Sequence, residues 1–424
     1  MAITRRQFLK YAAASAAALG LSELELFKLT EKVMAISASK PRVIALQGQA
    51  CSGDITSLAN LLNSIPPDAP GGDFAHTIRD AYSATVEEIL GVNATFGASP
   101  TSTVDDVLID LIDLTFHPTI CAPAGAQGYV EGVINQAATP GYIVLVEGSV
   151  PIDGDFNGQP AVGADSCKVG DQNGIHTGSD TAETLVQALT TLCDTTNCAA
   201  VIAVGTCAAF GGIPAANNAN DTYRSGPNFG NVKYKSSGAA SVAAALQSIG
   251  GDAATRPVVN VSGCPIRPDD LFLTVAQAII YGVPSFLAPG FLTADGRPKS
   301  VLGINLFGQT HHYHCSRKSA YTAGNFATSF ADTDGKCLSM LGCKGQSTFA
   351  SCQRNKKHQW NPTTEDGATG VIHDTTAVLP WSSQTLGCVT NNGGTSCVKK
   401  GHPCIGCKEK GFPDRFSPLV NYNN

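Results

Sequence analysis

The sequence is short of charge. Only 15% of its 424 residues are Asp, Glu, Lys or Arg, and 34 acidic residues outnumber 28 basic ones, for a net charge of −6. A mildly acidic chain lacks the basic field that sequence-independent binding to nucleic acid needs, which excludes that class of partner. Long apolar runs are lacking too. Beyond the N-terminus no stretch reaches the roughly 18 consecutive apolar residues of a spanning helix. Apolar residues still make up 43%, enough for hydrophobic cores and too many for a disordered chain. The length suits two domains better than one. No internal repeat is visible. What the chain does have is turn formers, 44 Gly and 23 Pro, and 15 cysteines. That cysteine count is high for a cytosolic enzyme and sparse for a disulfide-stapled mini-domain.

The N-terminus is an address. Thr4-Arg5-Arg6-Gln7-Phe8-Leu9-Lys10 carries a twin arginine, followed by a short Ala-rich apolar run from Tyr11 to Leu21. The run is a signal h-region and not a membrane span. Small residues from Ala35 to Ser39 offer a cleavage site, so residues 1–39 read as a twin-arginine signal. Twin-arginine export carries folded proteins, which suits a chain that receives a cofactor before it is exported.

From Arg42 to Cys264, short apolar runs alternate with longer segments. Arg42–Leu46, Leu111–Phe116, Tyr142–Val146, Val201–Val204 and Val258–Val261 have the continuous Val/Ile/Leu texture of parallel strands buried on both faces. Crossover helices are expected over 182–192 and 239–249. The pattern predicts a doubly wound α/β domain, whose ligand crevice lies beyond the carboxyl ends of its strands. Cys51, Cys207 and Cys264 each follow one of the runs, so three residues scattered over the chain are expected to converge there.

From Gln309 onward the texture changes. Core formers thin out, and eight of the 15 cysteines fall between Cys315 and Cys407. A segment so poor in apolar residues needs staples of metal or disulfide. Cys404-Ile405-Gly406-Cys407 has the spacing of a chelating pair in zinc ribbons and iron–sulfur domains, and His312 and Cys315 add donors at similar reach.

Taken together these motifs resemble the small subunit of a nickel–iron hydrogenase. They run in the family's order: Leu46-Gln47-Gly48-Gln49-Ala50-Cys51, Glu147-Gly148, Gly205-Thr206-Cys207-Ala208 with Gly211-Gly212, and Gly263-Cys264-Pro265. Then come Phe307-Gly308-Gln309-Thr310, His312 with Cys315, Leu341-Gly342-Cys343-Lys344-Gly345, Gly401-His402-Pro403-Cys404-Ile405-Gly406-Cys407, and the closing stretch from Phe412 to Pro418. The resemblance implies a flavodoxin-like domain over residues 40–300 and a loop-rich, cysteine-rich iron–sulfur domain over 301–424. It implies three clusters. The proximal one is a 4Fe–4S cluster on Cys51, Cys207, Cys264 and position 54. The distal 4Fe–4S cluster uses His312, Cys315, Cys337 and Cys343. The medial one uses Cys352, Cys404 and Cys407. Thiolate suits such clusters because it is soft, and a neutral imidazole in place of a thiolate leaves a cluster less negative.

The chain departs from the family pattern in two places. Where relatives carry a second cysteine three residues after the first, this chain reads Cys51-Ser52-Gly53-Asp54, as in the oxygen-insensitive, actinobacterial-type enzymes. Asp54 is then either a carboxylate ligand or a helix N-cap. The extra cysteines of the other oxygen-tolerant type are replaced by Gly53 and Gly212. Cys397, seven residues before Cys404, stands where the family has a proline. It is either a fourth medial ligand, making that cluster 4Fe–4S instead of 3Fe–4S, or a disulfide partner of Cys388. The segment from Asn361 to Leu386 reads as an insertion. Cys121, Cys167, Cys193, Cys198 and Cys388 are left over, as buried thiols or, for Cys193 and Cys198, a disulfide. His117-Pro118 lacks the carboxylate the family usually has after that histidine. His311 and His314 flank the distal donors, and His402 reads as supporting a ligand rather than being one.

The implied function is electron transfer in hydrogen oxidation or evolution. An obligate large subunit would hold the nickel–iron centre, and a cytochrome or membrane quinone-reducing partner would accept the electrons. The place implied is the periplasm or the outer membrane face. With no apolar tail before Asn424, membrane attachment is expected through a partner. The rivals are an iron–sulfur subunit of another exported oxidoreductase, related to NADH dehydrogenase, a hydrogen sensor with the same clusters, and a non-redox exported protein stapled by disulfides or zinc.

Overall fold

The computed structural model describes residues 41–62, 112–119, 128–153, 155–156, 159–160, 163–170, 182–216, 238–301, 304–313, 315–350, 352 and 397–421. The signal at 1–39, Cys121, Cys388, His314 and the insertion at 361–386 lie outside them.

Five parallel strands form the central sheet: β1 (Arg42–Gln47), β2 (Asp113–Phe116), β3 (Tyr142–Glu147), β4 (Cys198–Val204) and β5 (Val258–Val261). Their spatial order is β2-β1-β3-β4-β5, which is the flavodoxin-like doubly wound order. The apolar runs are continuous because both faces are covered. Ile44, Leu46, Val144 and Val146 point to one core with Leu185, Leu189, Leu192, Val242 and Leu246. Their neighbours Val43 and Ile143 face a second core with Ile202, Val259, Val261, Leu271, Val275 and Phe286. Alternation along the pleat thus feeds two cores from each strand.

The helices that supply these cores are α1 (Gly53–Leu62), α2 (Leu185–Cys193), α3 (Gly205–Phe210), α4 (Val242–Ile249) and α5 (Pro268–Tyr281). Both expected crossover helices are present but start later than their apolar pattern suggests. Thr184 closes a capping box with Gln187, and the Ser241 hydroxyl accepts the Ala244 amide. The residues before those caps are extended instead: Glu183–Thr184 pair with Lys168–Gly170, and Ala239–Ala240 with Val150–Pro151.

Beyond residue 301 the described chain is mostly loop, with a five-residue helix at Lys318–Thr322 and short 3₁₀ turns. Its small apolar cluster is Cys315, Ala327, Leu338, Leu341 and Val398. Polar contacts fasten this region to the sheet domain. Lys408, fully buried, places its ammonium 2.8 Å from Asp270 of α5. The Lys408 carbonyl accepts the Ser262 hydroxyl at 2.7 Å and the Arg297 guanidinium at 3.1 Å. Arg297 also bridges Asp295 and Glu409, and buried Arg267 donates to the Cys352 carbonyl at 3.0 Å.

Candidate metal centres

The loops beyond the carboxyl ends of β1, β4 and β5 bring Cys51, Cys207 and Cys264 together. Cys51 follows β1 and is exposed, Cys207 lies in the first turn of α3, and Cys264 follows β5 in a cis Cys264–Pro265 bond. Burial, with the nearby charges of Asp54 and Cys51 acting in the same direction, raises the Cys207 thiol to about 11 and Cys264 to about 12. Cys207 and Cys264 are therefore protonated without metal, and metal binding must release those protons. The glycines set close approaches here. A Cβ at Gly53 would stand 3.0 Å from the Cys51 sulfur, and one at Gly212 would stand 2.8 Å from that of Cys207.

Asp54 enters the same place, and its own helix does not use its carboxylate. The α1 N-terminus is capped from β3: Glu147 Oε1 accepts the Asp54 amide at 3.1 Å and the Ile55 amide at 3.3 Å. Gln47 reaches Glu147 Oε2 at 3.3 Å and the Ser52 hydroxyl at 2.6 Å, holding Ser52 at φ 58°. Asp54 Oδ1 instead accepts the Ile266 amide at 2.7 Å, and Oδ2 lies so close to Gly205 that a Cβ there would meet it at 2.0 Å. Burial raises its carboxyl to about 7, with Glu147 pushing the same way.

Around the distal donors the structure forms a partly open pocket. His312, Cys315, Cys337 and Cys343 all line it, with Arg317, Tyr321 and Val398. The Cys315 amide donates to the His312 carbonyl at 3.2 Å, closing the turn that presents both residues. The Tyr321 ring meets the imidazole edge-on at 4.7 Å, and burial with nearby Lys318 lowers the His312 pKa, favouring the neutral ring that ligates metal.

Cys352, Cys404 and Cys407 gather between these two places. The first two are buried, and the charges of Cys352 and Cys404 act on Cys407, as does that of Cys264. Burial pushes the Cys404 and Cys407 thiols far above the usual range. The Cys404 amide donates to the Cys343 sulfur at 3.3 Å, and the Thr206 hydroxyl donates to the Cys407 carbonyl at 2.5 Å. The three groups are thus stitched to one another. Cys397 is held by other contacts: its carbonyl accepts the His402 amide at 2.9 Å, and the next residue, Val398, lines the distal cavity.

All thirteen described cysteines are free thiols. Among the described residues no three His, Cys, Asp or Glu side chains close around a point as ligands of a single ion do. Soft donors ringing a space larger than one ion suit an iron–sulfur core. Sequence reasoning missed the supporting residues. Glu147 and Thr206 were visible only as parts of motifs, and Arg267 and Lys408 gave no signal.

The profile for the C-terminal part of the NiFe/NiFeSe hydrogenase small subunit matches residues 307–371 and 383–420. That of the NADH ubiquinone oxidoreductase 20 Kd subunit matches 91–278, and that of the twin-arginine signal matches 2–22. The periplasmic [NiFe] hydrogenase small subunit 1 of Nitratidesulfovibrio vulgaris is 31% identical over 321 residues, 74% of each chain. The chain belongs to the small-subunit family of nickel–iron hydrogenases. The periplasmic [NiFeSe] hydrogenase small subunit of Desulfomicrobium baculatum is 29% identical over 426 residues, 99% of each chain. The oxidised [NiFeSe] hydrogenase of Desulfovibrio vulgaris Hildenborough aligns in structure with a TM-score of 0.57 and 26% identity, over 91% of this chain and 99% of that one. Hydrogenase small subunits carry iron–sulfur clusters and transfer electrons for a large catalytic subunit, and this chain takes that part in a heterodimer. It carries a twin-arginine export signal, and among the described residues no helix is long and apolar enough to cross a membrane.

Proposed function

We propose that this small subunit relays electrons through three clusters, held by twelve donors of its own chain. Cys51, Asp54, Cys207 and Cys264 hold a proximal 4Fe–4S cluster. Cys352, Cys397, Cys404 and Cys407 hold a medial 4Fe–4S cluster. His312, Cys315, Cys337 and Cys343 hold the distal one. The first set belongs to a domain over 40–300 and the other two to one over 301–424. Bound clusters supply one-electron redox steps. The chain's own residues position the donors, keep water from the buried sulfurs and fasten the three sites to one another. The observation that carries the reading is the cavity ringed by His312, Cys315, Cys337 and Cys343, four donors from three separate loops.

Asp54 as a ligand is supported by the division of labour at α1. Glu147 takes the capping role, which leaves the Asp54 carboxylate beside the cysteine donors. A carboxylate is harder than a thiolate and donates less charge to iron. Cys397 as the fourth medial ligand is supported by its spacing to Cys404 and by its free thiol. Export puts the heterodimer in the periplasm or on the outer membrane face, where a cytochrome or a quinone-reducing membrane partner takes electrons from the His312 end.

The test is a potentiometric EPR titration of the co-purified heterodimer, with hydrogen-dependent dye reduction measured in the same sample. Three iron–sulfur signals and no 3Fe-type signal in the oxidised protein are expected. A 3Fe-type signal would remove Cys397 from the medial set. Dye reduction by protein with fewer than three clusters would contradict the relay.

A further inference from the structure

Two cysteines lie far from the proximal donors, at the amino end of the sheet. Cys193 is the last residue of α2 and Cys198 the first of β4, and both are fully buried. Across the turn at 194–197 the Cys193 thiol faces that of Cys198 as donor to acceptor, and the Cys198 thiol in turn donates to the Ala200 carbonyl at 3.7 Å. Arg256 stands over the pair. Its guanidinium donates to the Cys198 carbonyl at 3.0 Å, and its charge favours ionisation of both thiols. Tyr142 closes the other side, donating its hydroxyl to the Leu192 carbonyl at 2.7 Å. No part of the relay uses these sulfurs, since the proximal donors follow the carboxyl ends of the strands.

We propose that Cys193 and Cys198 form a thiol–disulfide pair, reduced while the chain folds in the cytoplasm and closed to a disulfide after export. The oxidant is an external disulfide, R–S–S–R. The Cys198 thiolate attacks one of its sulfurs, the external S–S bond breaks, and one R–S⁻ leaves and takes a proton. Cys193 then loses its proton, its sulfur attacks that of Cys198, and the second R–S⁻ leaves to be protonated. Two cysteine thiols are oxidised by two electrons, and one external disulfide is reduced to two thiols. Cys198 is the attacking partner, because the hydrogen bond from Cys193 and the charge of Arg256 hold its pKa below the ordinary thiol value, while that of Cys193 is raised well above it.

Burial does not bar the reaction, because both residues terminate their elements. Fraying the last turn of α2 and the first residue of β4 exposes the sulfurs without opening the sheet. Once closed, the bond ties the end of α2 to the start of a central strand.

The experiment compares the exported heterodimer with a precursor kept in the cytoplasm by Arg5→Lys and Arg6→Lys. Both are quenched in acid, unfolded, alkylated without reductant and mapped by peptide mass. The expected result is a Cys193–Cys198 cross-linked peptide, lighter by two hydrogens, in the exported protein, and two alkylated cysteines in the retained one. Two alkylated cysteines in the exported protein would overturn the proposal, as would either residue joined elsewhere or a cross-link already present in the retained chain. The double variant Cys193→Ser, Cys198→Ser separates a bond from mere packing. It should lower the melting temperature of the exported protein more than that of the retained one. An equal fall in both would show packing alone.

Discussion

Replacing Glu147 by Ala removes a side chain that caps α1 from the end of β3. Its carboxylate accepts the Asp54 and Ile55 amides at 3.1 and 3.3 Å and the Gln47 side chain at 3.3 Å. Loss of a cap costs about 0.5–2 kcal/mol, and each of the two buried amides left without an acceptor costs about 1–3 kcal/mol, so the two descriptions of this loss meet at about 2 kcal/mol. One effect opposes it. Glu147 raises the pKa of buried Asp54, and its removal relieves that repulsion. The relief is the smaller effect, because burial and the Ile266 hydrogen bond both act on Asp54 more strongly than Glu147 does. The net destabilisation should lower the apparent melting temperature by about 2 °C at a fixed scan rate, because a chain of 424 residues gains roughly 0.9 kcal/mol/K of entropy on unfolding. Glu147→Gln keeps one carbonyl acceptor in place and should lose less than half as much. The assay is calorimetry of the purified heterodimer. A Glu147→Ala protein melting within about 1 °C of wild type, or a Gln variant falling further than the Ala variant, would refute the reasoning.

The buried pair behind the C-terminal region gives a second test. Asp270→Leu strands the Lys408 ammonium, with both side chains 1% exposed, and should cost about 3–5 kcal/mol in thermal stability, part of which Lys408→Met in the same protein recovers. Asp54→Cys should change the proximal-cluster EPR and Mössbauer spectra, and identical spectra would show that Asp54 is no ligand. Cys397→Ser should introduce a 3Fe-type signal in the oxidised protein, and a wild-type spectrum would exclude Cys397 from the medial set. The Asp295 carboxyl is held below its usual range despite burial, because Arg297 and Thr293 hydrogen-bond to it. A lowered folded pKa stabilises above the unfolded value of about 3.9 and is lost as pH falls through the folded value. The melting-temperature gap between wild type and Asp295→Asn should therefore be full near neutral pH and narrow below about pH 4.

How far the sequence spoke for the fold depended on the range of the contacts. The five strand runs were legible because a strand buried on both faces cannot hide its composition, and Val43 to Leu46 feeds two cores at once. The start of α2 was legible in principle: Thr184 and Gln187 stand at capping-box spacing, while the apolar pattern alone suggested a start at Ala182. The convergence of Cys51, Cys207 and Cys264 followed from the doubly wound topology, since each trails a strand. Asp54 could not be assigned from its neighbours. The residue that frees it from capping, Glu147, is 93 positions away and reaches it only because β1 and β3 are adjacent. The seam is the clearest miss. Nothing in the sequence around Arg267, Asp270 and Lys408 marks them as buried, and only the packing of the cysteine-rich loops on α5 buries them.

Iron and acid-labile sulfide, quantified per small subunit in the native heterodimer after correction for the iron of the partner's metal centre, test the central claim most directly. Four iron and four sulfide for each of three clusters is the result this account predicts. A small subunit that arrives folded and exported, yet colourless and free of sulfide, would contradict it.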